Sequence, residues 1–178
     1  AHNGNLINAT QLKAQLESQG SIFQTSSDTE VVAHLIRRSG FTSLKDRVKN
    51  ALSLVKGAYA FMFMSEKQLI LARDPYGLRP LSLGMIGDAY VIASETCALD
   101  LVGAKFVRDI DPGELVVIND EGIQSEIFAV ANKRAMCAME YVYFSRPDSD
   151  IDGINVHTAR KNLGKKLATE VRIEADVV

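Results

Sequence analysis

Residues 57–73 read GAYAFMFMSEKQLILAR, and the two apolar runs in this stretch decide the fold class. Runs this short and apolar are typical of β-strands that are covered on both faces of a sheet. Similar runs follow between turn residues, as PLSLGM, AYVIAS, GELVVIN and QSEIFAV. The pattern therefore predicts a mostly antiparallel sheet after residue 57, with a layer packed on each face.

Helical periodicity precedes this sheet in three places. It predicts a short helix from Thr10 to Ser18, a helix from Ser27 to about Gly40 and another from Leu44 to about Gly57, and SIFQT at 21–25 is predicted to be a strand. Ser27 and Glu30 have the spacing of a capping box, in which each side chain bonds the other residue's backbone N–H. Helices packed on an antiparallel sheet predict a layered sandwich of the α+β class.

The overall composition excludes several function classes. The net charge is −2, from 20 Lys and Arg against 22 Asp and Glu, so neither nucleic acid nor an anionic membrane is an expected partner. The longest apolar run, residues 58–64, is far shorter than the roughly 20 residues of a membrane-spanning helix, and no secretory signal is recognisable. We therefore expect a cytoplasmic location.

A change in composition after Asn132 predicts a domain boundary. Residues 140–153, EYVYFSRPDSDIDG, are aromatic and acidic, and a basic helix is predicted from His157 to Val171 with Leu163 and Leu167 facing a core. We therefore predict one domain at residues 1–132 and the beginning of a second at 133–178.

Three short motifs contain the residue types of a reactive site. In HNGN, Asn3 and Gly4 either form an ordinary tight turn or direct a side-chain amide and a backbone N–H at one anionic oxygen. In SSDTE, Asp28 either is a first-turn acid favoured by the helix dipole or binds a cation such as an α-ammonium group. RDPYGLRPL, at 73–81, is a stiff loop whose arginines either pair with carboxylates or belong to a family signature.

Taken in order, AHNGN, SSDTE, GAYAF, ARDPYGLRPL, ASETCALD, the turn at 112–114 and EYVYFSRPDS resemble the amidophosphoribosyltransferases. Enzymes of this family make phosphoribosylamine from phosphoribosylpyrophosphate and glutamine-derived ammonia in the first step of purine synthesis. The resemblance implies an internal segment of such an enzyme: most of an N-terminal-nucleophile hydrolase-like αββα sandwich, incomplete at its N-terminus, at 1–132. A linker and the start of a phosphoribosyltransferase domain follow at 133–178.

The resemblance also implies roles for individual residues. Asn3 and Gly4 match the oxyanion hole of the glutaminase site, and Asp28 matches the residue that binds the amino group of glutamine. Tyr141, Tyr143 and Phe144 match the segment that meets the second domain and helps to form the ammonia passage. The loop at 73–81 is expected to support the pocket, without a catalytic arginine.

The expected cofactors follow from the same resemblance. Cys137 is either one ligand of a 4Fe–4S cluster, which needs three further thiolates, or a simple core thiol, and Cys97 is expected in the core. Mg²⁺ would accompany phosphoribosylpyrophosphate in the missing domain, and these 178 residues are expected to hold no cofactor. Glutamine and phosphoribosylpyrophosphate are the expected substrates of the intact enzyme, and a homo-oligomer is its expected state.

The attacking group of the family is an N-terminal cysteine that lies upstream of Ala1 in the family pattern. We therefore expect these 178 residues alone to be inactive, and an unpaired sheet edge to favour self-association. Two alternatives remain open. One is the glutaminase domain of another class II amidotransferase, such as the glucosamine-phosphate or asparagine synthases, and the other is a non-catalytic binding or assembly module with the same fold.

Overall fold

A computed structural model describes residues 1–131 and 133–171 of the chain. In chain order the elements are β1 (His2–Leu6), α1 (Ala9–Ser18), α2 (Asp28–Arg38), α3 (Leu44–Leu54), β2 (Gly57–Met64), β3 (Gln68–Arg73), β4 (Ser82–Ile86), β5 (Ala89–Ala93), α4 (Thr96–Leu101), β6 (Lys105–Asp109), β7 (Glu114–Asn119), β8 (Gly122–Ile127), a π-helix (Glu140–Phe144), β9 (Asp150–Ile151), β10 (Ile154–Asn155) and α5 (Val156–Glu170). The three predicted helices before the sheet and the predicted apolar strands are confirmed.

The described residues form two compact units that do not follow the chain continuously. Residues 1–79 and 110–135 form the first unit, and residues 80–109 with the described residues from 136 onward form the second. The predicted domain boundary after residue 132 stays a prediction, and Asn132 itself lies outside the described residues.

The first unit is an antiparallel sheet in the strand order β1-β2-β3-β7-β8, with α1, α2 and α3 packed on one face. Its class is α+β, as predicted. Alternation places Tyr59 and Phe61 of β2 toward the helices, and both are almost completely buried. The core between sheet and helices consists of Leu6, Leu12, Leu16, Val31, Val32, Val48, Ala51, Leu52, Val55, Tyr59, Phe61, Ile70, Ala72, Leu115 and Val117.

The second unit contains a three-stranded antiparallel sheet in the order β5-β4-β6, together with α4, the π-helix, the β9–β10 pair and α5. The prediction that Leu163 and Leu167 of α5 face a core is wrong for the described residues, where these side chains are 53% and 59% exposed. Among the described residues, no helix has the length and hydrophobicity needed to cross a membrane.

The loop that follows β3 is organised by a buried arginine. The side chain of Arg73 is 1% exposed, and it donates hydrogen bonds to the carbonyl oxygens of Arg79 at 2.7 Å, Ile110 at 2.8 Å and Gly77 at 3.1 Å. Five fixed donors on a planar guanidinium suit this arrangement, since one side chain can bond several backbone carbonyls at once. Arg73 therefore supports the loop by bonding backbone carbonyl oxygens, and the predicted pairing of the arginines with carboxylates and the predicted support of a pocket stay predictions.

The neighbouring Asp74 accepts hydrogen bonds from backbone N–H groups of the same loop. Its buried carboxylate accepts hydrogen bonds from Leu78 at 2.9 Å and Tyr76 at 3.0 Å, with longer contacts of 3.4 Å from Tyr59 and Arg79. Burial raises the pKa of Asp74, and the backbone donors oppose that rise because they favour the ionised form. Together Arg73 and Asp74 join the loop to β2 and to the strand connection at Ile110.

Replacing Arg73 by Met should lower the free energy of unfolding by about 3 kcal/mol or more, because three buried carbonyl groups lose their donor. Urea denaturation followed by circular dichroism measures the change. Arg37→Met, on the exposed face of α2, is the matched control and should change the stability by no more than about 0.5 kcal/mol. Equal urea midpoints for the two variants would contradict the role of Arg73.

Candidate functional site

The HNGN motif forms an edge strand and not a tight turn. β1 pairs with β2 in antiparallel register, with Asn3 opposite Ala60 and Gly4 opposite Tyr59, and it lies at one end of the described sheet. The turn interpretation is therefore wrong. Glycine is needed here for another reason: within a strand it allows a second backbone to approach closely.

Gly4 occupies a position that only glycine can fill. Its φ is +145°, and a Cβ at this site would lie 2.1 Å from the carbonyl oxygen of Ala58. Hydrogen bonds of Ala1 with Met62 and of Ile7 with Lys56 fix which residues of β1 bond to β2. In an antiparallel pair these positions alternate, so the N–H of Gly4 points away from β2, toward the outer edge of the sheet.

Asp28 is attached to this same outer edge. Its Oδ2 accepts a hydrogen bond of 2.9 Å from the backbone N–H of Leu6, two residues after Gly4. Ser27 caps α2 by accepting from the N–H of Thr29 at 3.3 Å, so Asp28 is not required as the cap. The structure thus brings Asp28 and the edge of β1 together, with the Asp28 side chain 24% exposed.

The sequence interpretation missed His2 of β1, whose side chain is 5% exposed and lies beside Asp28. The His2 ring stacks on Phe61 with a centroid separation of 4.1 Å, and its Nδ1 lies 3.0 Å from Thr29 Oγ1 and 3.5 Å from Asp28 Oδ1. Burial lowers the pKa of His2, although Asp28 opposes that shift. In the sequence, only the position of His2 beside Asn3 could have indicated that it lies at the candidate site.

The loop before α2 differs from its prediction in an informative way. Residues 21–25 form no strand, because the carboxylate of Glu30 accepts the N–H groups of Gln24 and Thr25, both at 2.8 Å, and the Thr25 hydroxyl at 2.6 Å. Glu30 therefore does not close the predicted capping box with Ser27. The Thr25 hydroxyl and then the Gln24 N–H lower the pKa of Glu30 to about 2.

The predicted passage residues belong to the second unit and do not share one environment. The Tyr141 hydroxyl donates to the carbonyl oxygen of Ile151 at 2.9 Å, whereas Tyr143 and Phe144 are 75% and 51% exposed. Arg160 holds the segment by donating to the carbonyl oxygens of Tyr141 and Ser145, both at 2.7 Å. The role of these aromatic residues in an ammonia passage stays a prediction.

The two cysteines also have different surroundings. Cys97 is buried, as expected, and its sulfur lies 3.8 Å from a carboxylate oxygen of Glu95. Cys137 is half-buried and precedes the π-helix. Within residues 1–131 and 133–171 no group of three or more His, Cys, Asp or Glu side chains could hold a metal ion. With two cysteines in its sequence, the chain could supply at most two of the four thiolates of a cluster.

Comparison with known proteins gives consistent matches. Residues 1–101 match the family model described as a glutamine amidotransferase domain. The chain is 69% identical to the amidophosphoribosyltransferase of Bacillus subtilis over its full length, covering 37% of that protein, and 52% identical to the Staphylococcus aureus (strain N315) amidophosphoribosyltransferase, covering 36%. It thus spans little more than a third of these curated relatives.

Solved structures agree with these matches. The glutamine phosphoribosylpyrophosphate amidotransferase of B. subtilis, complexed with ADP and GMP, superposes with a TM-score of 0.95 at 69% identity, covering 99% of this chain and 39% of that one. A glutamine aminotransferase class-II domain protein of Silicibacter pomeroyi has a TM-score of 0.54 at 16% identity, covering 72% and 65% of the two chains. That second likeness shows the fold alone.

Glu30 gives the loop beside the site a pH dependence. The folded pKa, about 2, lies below the ordinary value of 4.5, so ionised Glu30 stabilises the loop above pH 4.5, and this contribution disappears as the pH falls toward 2. The protection of the Gln24 and Thr25 amides, measured relative to their intrinsic exchange at each pH, should fall over that range, and Glu30→Gln should remove the dependence.

The matched control for this experiment is Glu17→Gln, an exposed position on α1. This variant should retain the acid-induced loss of protection at Gln24 and Thr25. Protection that stays constant from pH 5 to 2 in the unmodified chain would show that the Glu30 carboxylate does not hold the loop.

Proposed function

The chain belongs to the glutamine amidotransferase domain family, because residues 1–101 match the model of that family, and we propose that it is part of a longer amidophosphoribosyltransferase. In that enzyme it would form part of the glutaminase site. The observation that carries the proposal is the bond between Asp28 and Leu6, which fixes a carboxylate beside the outward N–H of Gly4. A substrate with an α-ammonium group and a side-chain amide, such as glutamine, needs a carboxylate to bind the ammonium group. It also needs an N–H donor to stabilise the oxyanion that forms at the amide.

The proposed reaction begins with attack of a cysteine thiolate on the side-chain amide carbon of glutamine. The carbonyl oxygen becomes an oxyanion, and hydrogen bonds from the Asn3 side-chain amide and the Gly4 N–H stabilise it. Collapse of this intermediate gives a thioester and releases ammonia, and water then hydrolyses the thioester to glutamate. Asp28 pairs with the α-ammonium group of the substrate, which orients the amide toward these donors.

The proposed second half-reaction lies in residues outside the described units. Ammonia would replace the pyrophosphate of phosphoribosylpyrophosphate, whose binding would involve Mg²⁺, and Tyr141, Tyr143 and Phe144 would contribute to the passage between the two sites. We also propose a cytoplasmic location and a homo-oligomeric enzyme. Identity to amidophosphoribosyltransferases across the whole chain, including residues 133–178, favours this function over the glutaminase domains of other amidotransferases.

Replacing Asn3 by Ala in the longer protein should lower kcat for glutamine hydrolysis by 10²–10³-fold, because one oxyanion donor is lost. Asn5→Ala is the matched control, since Asn5 has the same residue type in the same strand and is exposed. Initial rates of glutamate formation measure the effect. If both variants retain full activity, Asn3 has no part in an oxyanion hole.

We propose further that Cys137 ligates a 4Fe–4S cluster in the longer protein, because its thiol is half-buried while Cys97 is enclosed beside Glu95. The cluster would supply iron–thiolate bonds that hold the Cys137 segment to residues outside the described units. Iron and acid-labile sulfide should be present in protein purified without oxygen and should fall sharply in Cys137→Ser, but not in Cys97→Ala. Protein without iron would contradict this assignment.

A further inference from the structure

His2 is a buried titratable residue that the proposed reaction does not use. It lies on β1 immediately before Asn3, and its ring is held on Phe61 by nearly parallel stacking, with an interplanar angle of 18°. The two residues face each other directly in the β1–β2 register. Stacking and burial together leave the imidazole little freedom to rotate, so its nitrogen atoms have defined directions.

One of these directions is toward the start of α2. Nδ1 lies 3.0 Å from the Thr29 hydroxyl and 3.5 Å from Asp28 Oδ1. An ionised carboxylate can only accept, so the form of the ring with a proton on Nδ1 is the one that attracts Asp28. Nε2 is buried and makes no hydrogen bond of good geometry in the described structure, so apart from the backbone carbonyl of Ala58 the polar contacts of the ring lie at the start of α2.

Both oxygens of the Asp28 carboxylate therefore lie against the same strand. Leu6 N–H donates to Oδ2 at 2.9 Å, and His2 approaches Oδ1 from the other side of Gly4. An aspartate side chain rotates about χ1 and χ2, and a hydrogen bond together with a second contact from one rigid strand restricts both rotations. The distance from Asp28 to the Gly4 N–H is then set by β1 itself.

We propose that His2 is a positioning residue that orients the Asp28 carboxylate toward the α-ammonium group of glutamine and so determines glutamine affinity. The inference rests on the proposed function, because it assigns His2 a role only if Asp28 binds substrate. It predicts a specific kinetic signature: loss of the His2 contact weakens binding of substrate and transition state alike, which raises KM and leaves kcat nearly unchanged.

The principal experiment uses the longer amidophosphoribosyltransferase with the substitution His2→Phe, which keeps an aromatic ring for stacking on Phe61 and removes the nitrogen atoms. KM for glutamine should rise about tenfold, with kcat within about twofold of the unmodified enzyme. Synthesis of phosphoribosylamine from added ammonia bypasses the glutamine site, so this activity should be unchanged.

Two amide substitutions separate positioning from simple packing. The amide nitrogen of His2→Asn can replace Nδ1, whereas that of His2→Gln reaches the position of Nε2. His2→Asn should therefore keep KM within about threefold of normal, and His2→Gln should resemble His2→Phe. This comparison remains decisive if the Phe variant does not fold, because both amides differ from histidine in the same way.

His34→Phe is the matched control. His34 also lies beside a carboxylate, with Nε2 at 3.8 Å from Glu30, and its ring contacts Phe23 at a centroid separation of 4.4 Å, but it belongs to the opposite part of α2. The same substitution there should leave KM for glutamine unchanged. An equal rise in KM for both variants would show a general effect of losing histidine from this region.

Asp28→Asn distinguishes failure of the inference from failure of the proposed function. If it raises KM strongly while His2→Phe, His2→Asn and His2→Gln all have normal KM values, only the positioning role is overturned. If Asp28→Asn leaves KM unchanged, the glutamine site itself is wrongly assigned. Parallel loss of glutamine-dependent and ammonia-dependent activity in His2→Phe and His2→Gln would show that His2 only stabilises the fold.

Discussion

The hydrogen bond from Leu6 N–H to Asp28 Oδ2 connects the edge of the sheet with the first turn of α2. Together with the burial of Leu6 in the core, this bond fixes the outward N–H groups of β1 relative to the helix layer. The bond uses a donor that strand pairing leaves over, since alternate residues of an edge strand point away from their neighbour. The same geometry that satisfies Leu6 leaves the N–H of Gly4 directed outward and available to a ligand.

Two buried side chains give this edge a stable support. Arg73 bonds backbone carbonyl groups and Asp74 bonds backbone N–H groups, and together they define the loop between β3 and the second unit. Asp74 also contacts Tyr59, the residue opposite Gly4. The strand that pairs with β1 is thus connected to this loop through Tyr59, which gives the polar, proline-containing motif between apolar strands a structural use.

Much of the fold could be predicted because its strands and helices follow simple periodicities. β2 and β3 are apolar on both faces, and the helix stripe at Val31 and Val32 is unambiguous. β6 and α4 were not predicted: β6 is a charged, half-exposed edge strand, and α4 has only six residues. The strand predicted at 21–25 failed because the Glu30 carboxylate takes backbone donors that a sheet would need.

The candidate site was predictable only in part. Asn3, Gly4 and Asp28 were proposed from motifs, but the Asn-Gly dipeptide alone favoured a turn at HNGN. Local sequence does not reveal that a distant strand at Ala58 approaches so closely. His2 could not be assigned a role without the structure. Its significance depends on Phe61 and Thr29, which are 59 and 27 residues away along the chain.

The interrupted course of the first unit has a consequence for synthesis on the ribosome. β3 pairs with β7, and in this ladder Gln68 lies opposite Asn119, so the sheet cannot be completed until the intervening segment has been translated. Until then the edge of β3 that pairs with β7 has unpaired backbone N–H and C=O groups. Pairings between segments that are distant in the chain form slowly. While residues 80–109 are emerging, the nascent polypeptide therefore presents the edge of β3 without its partner strand.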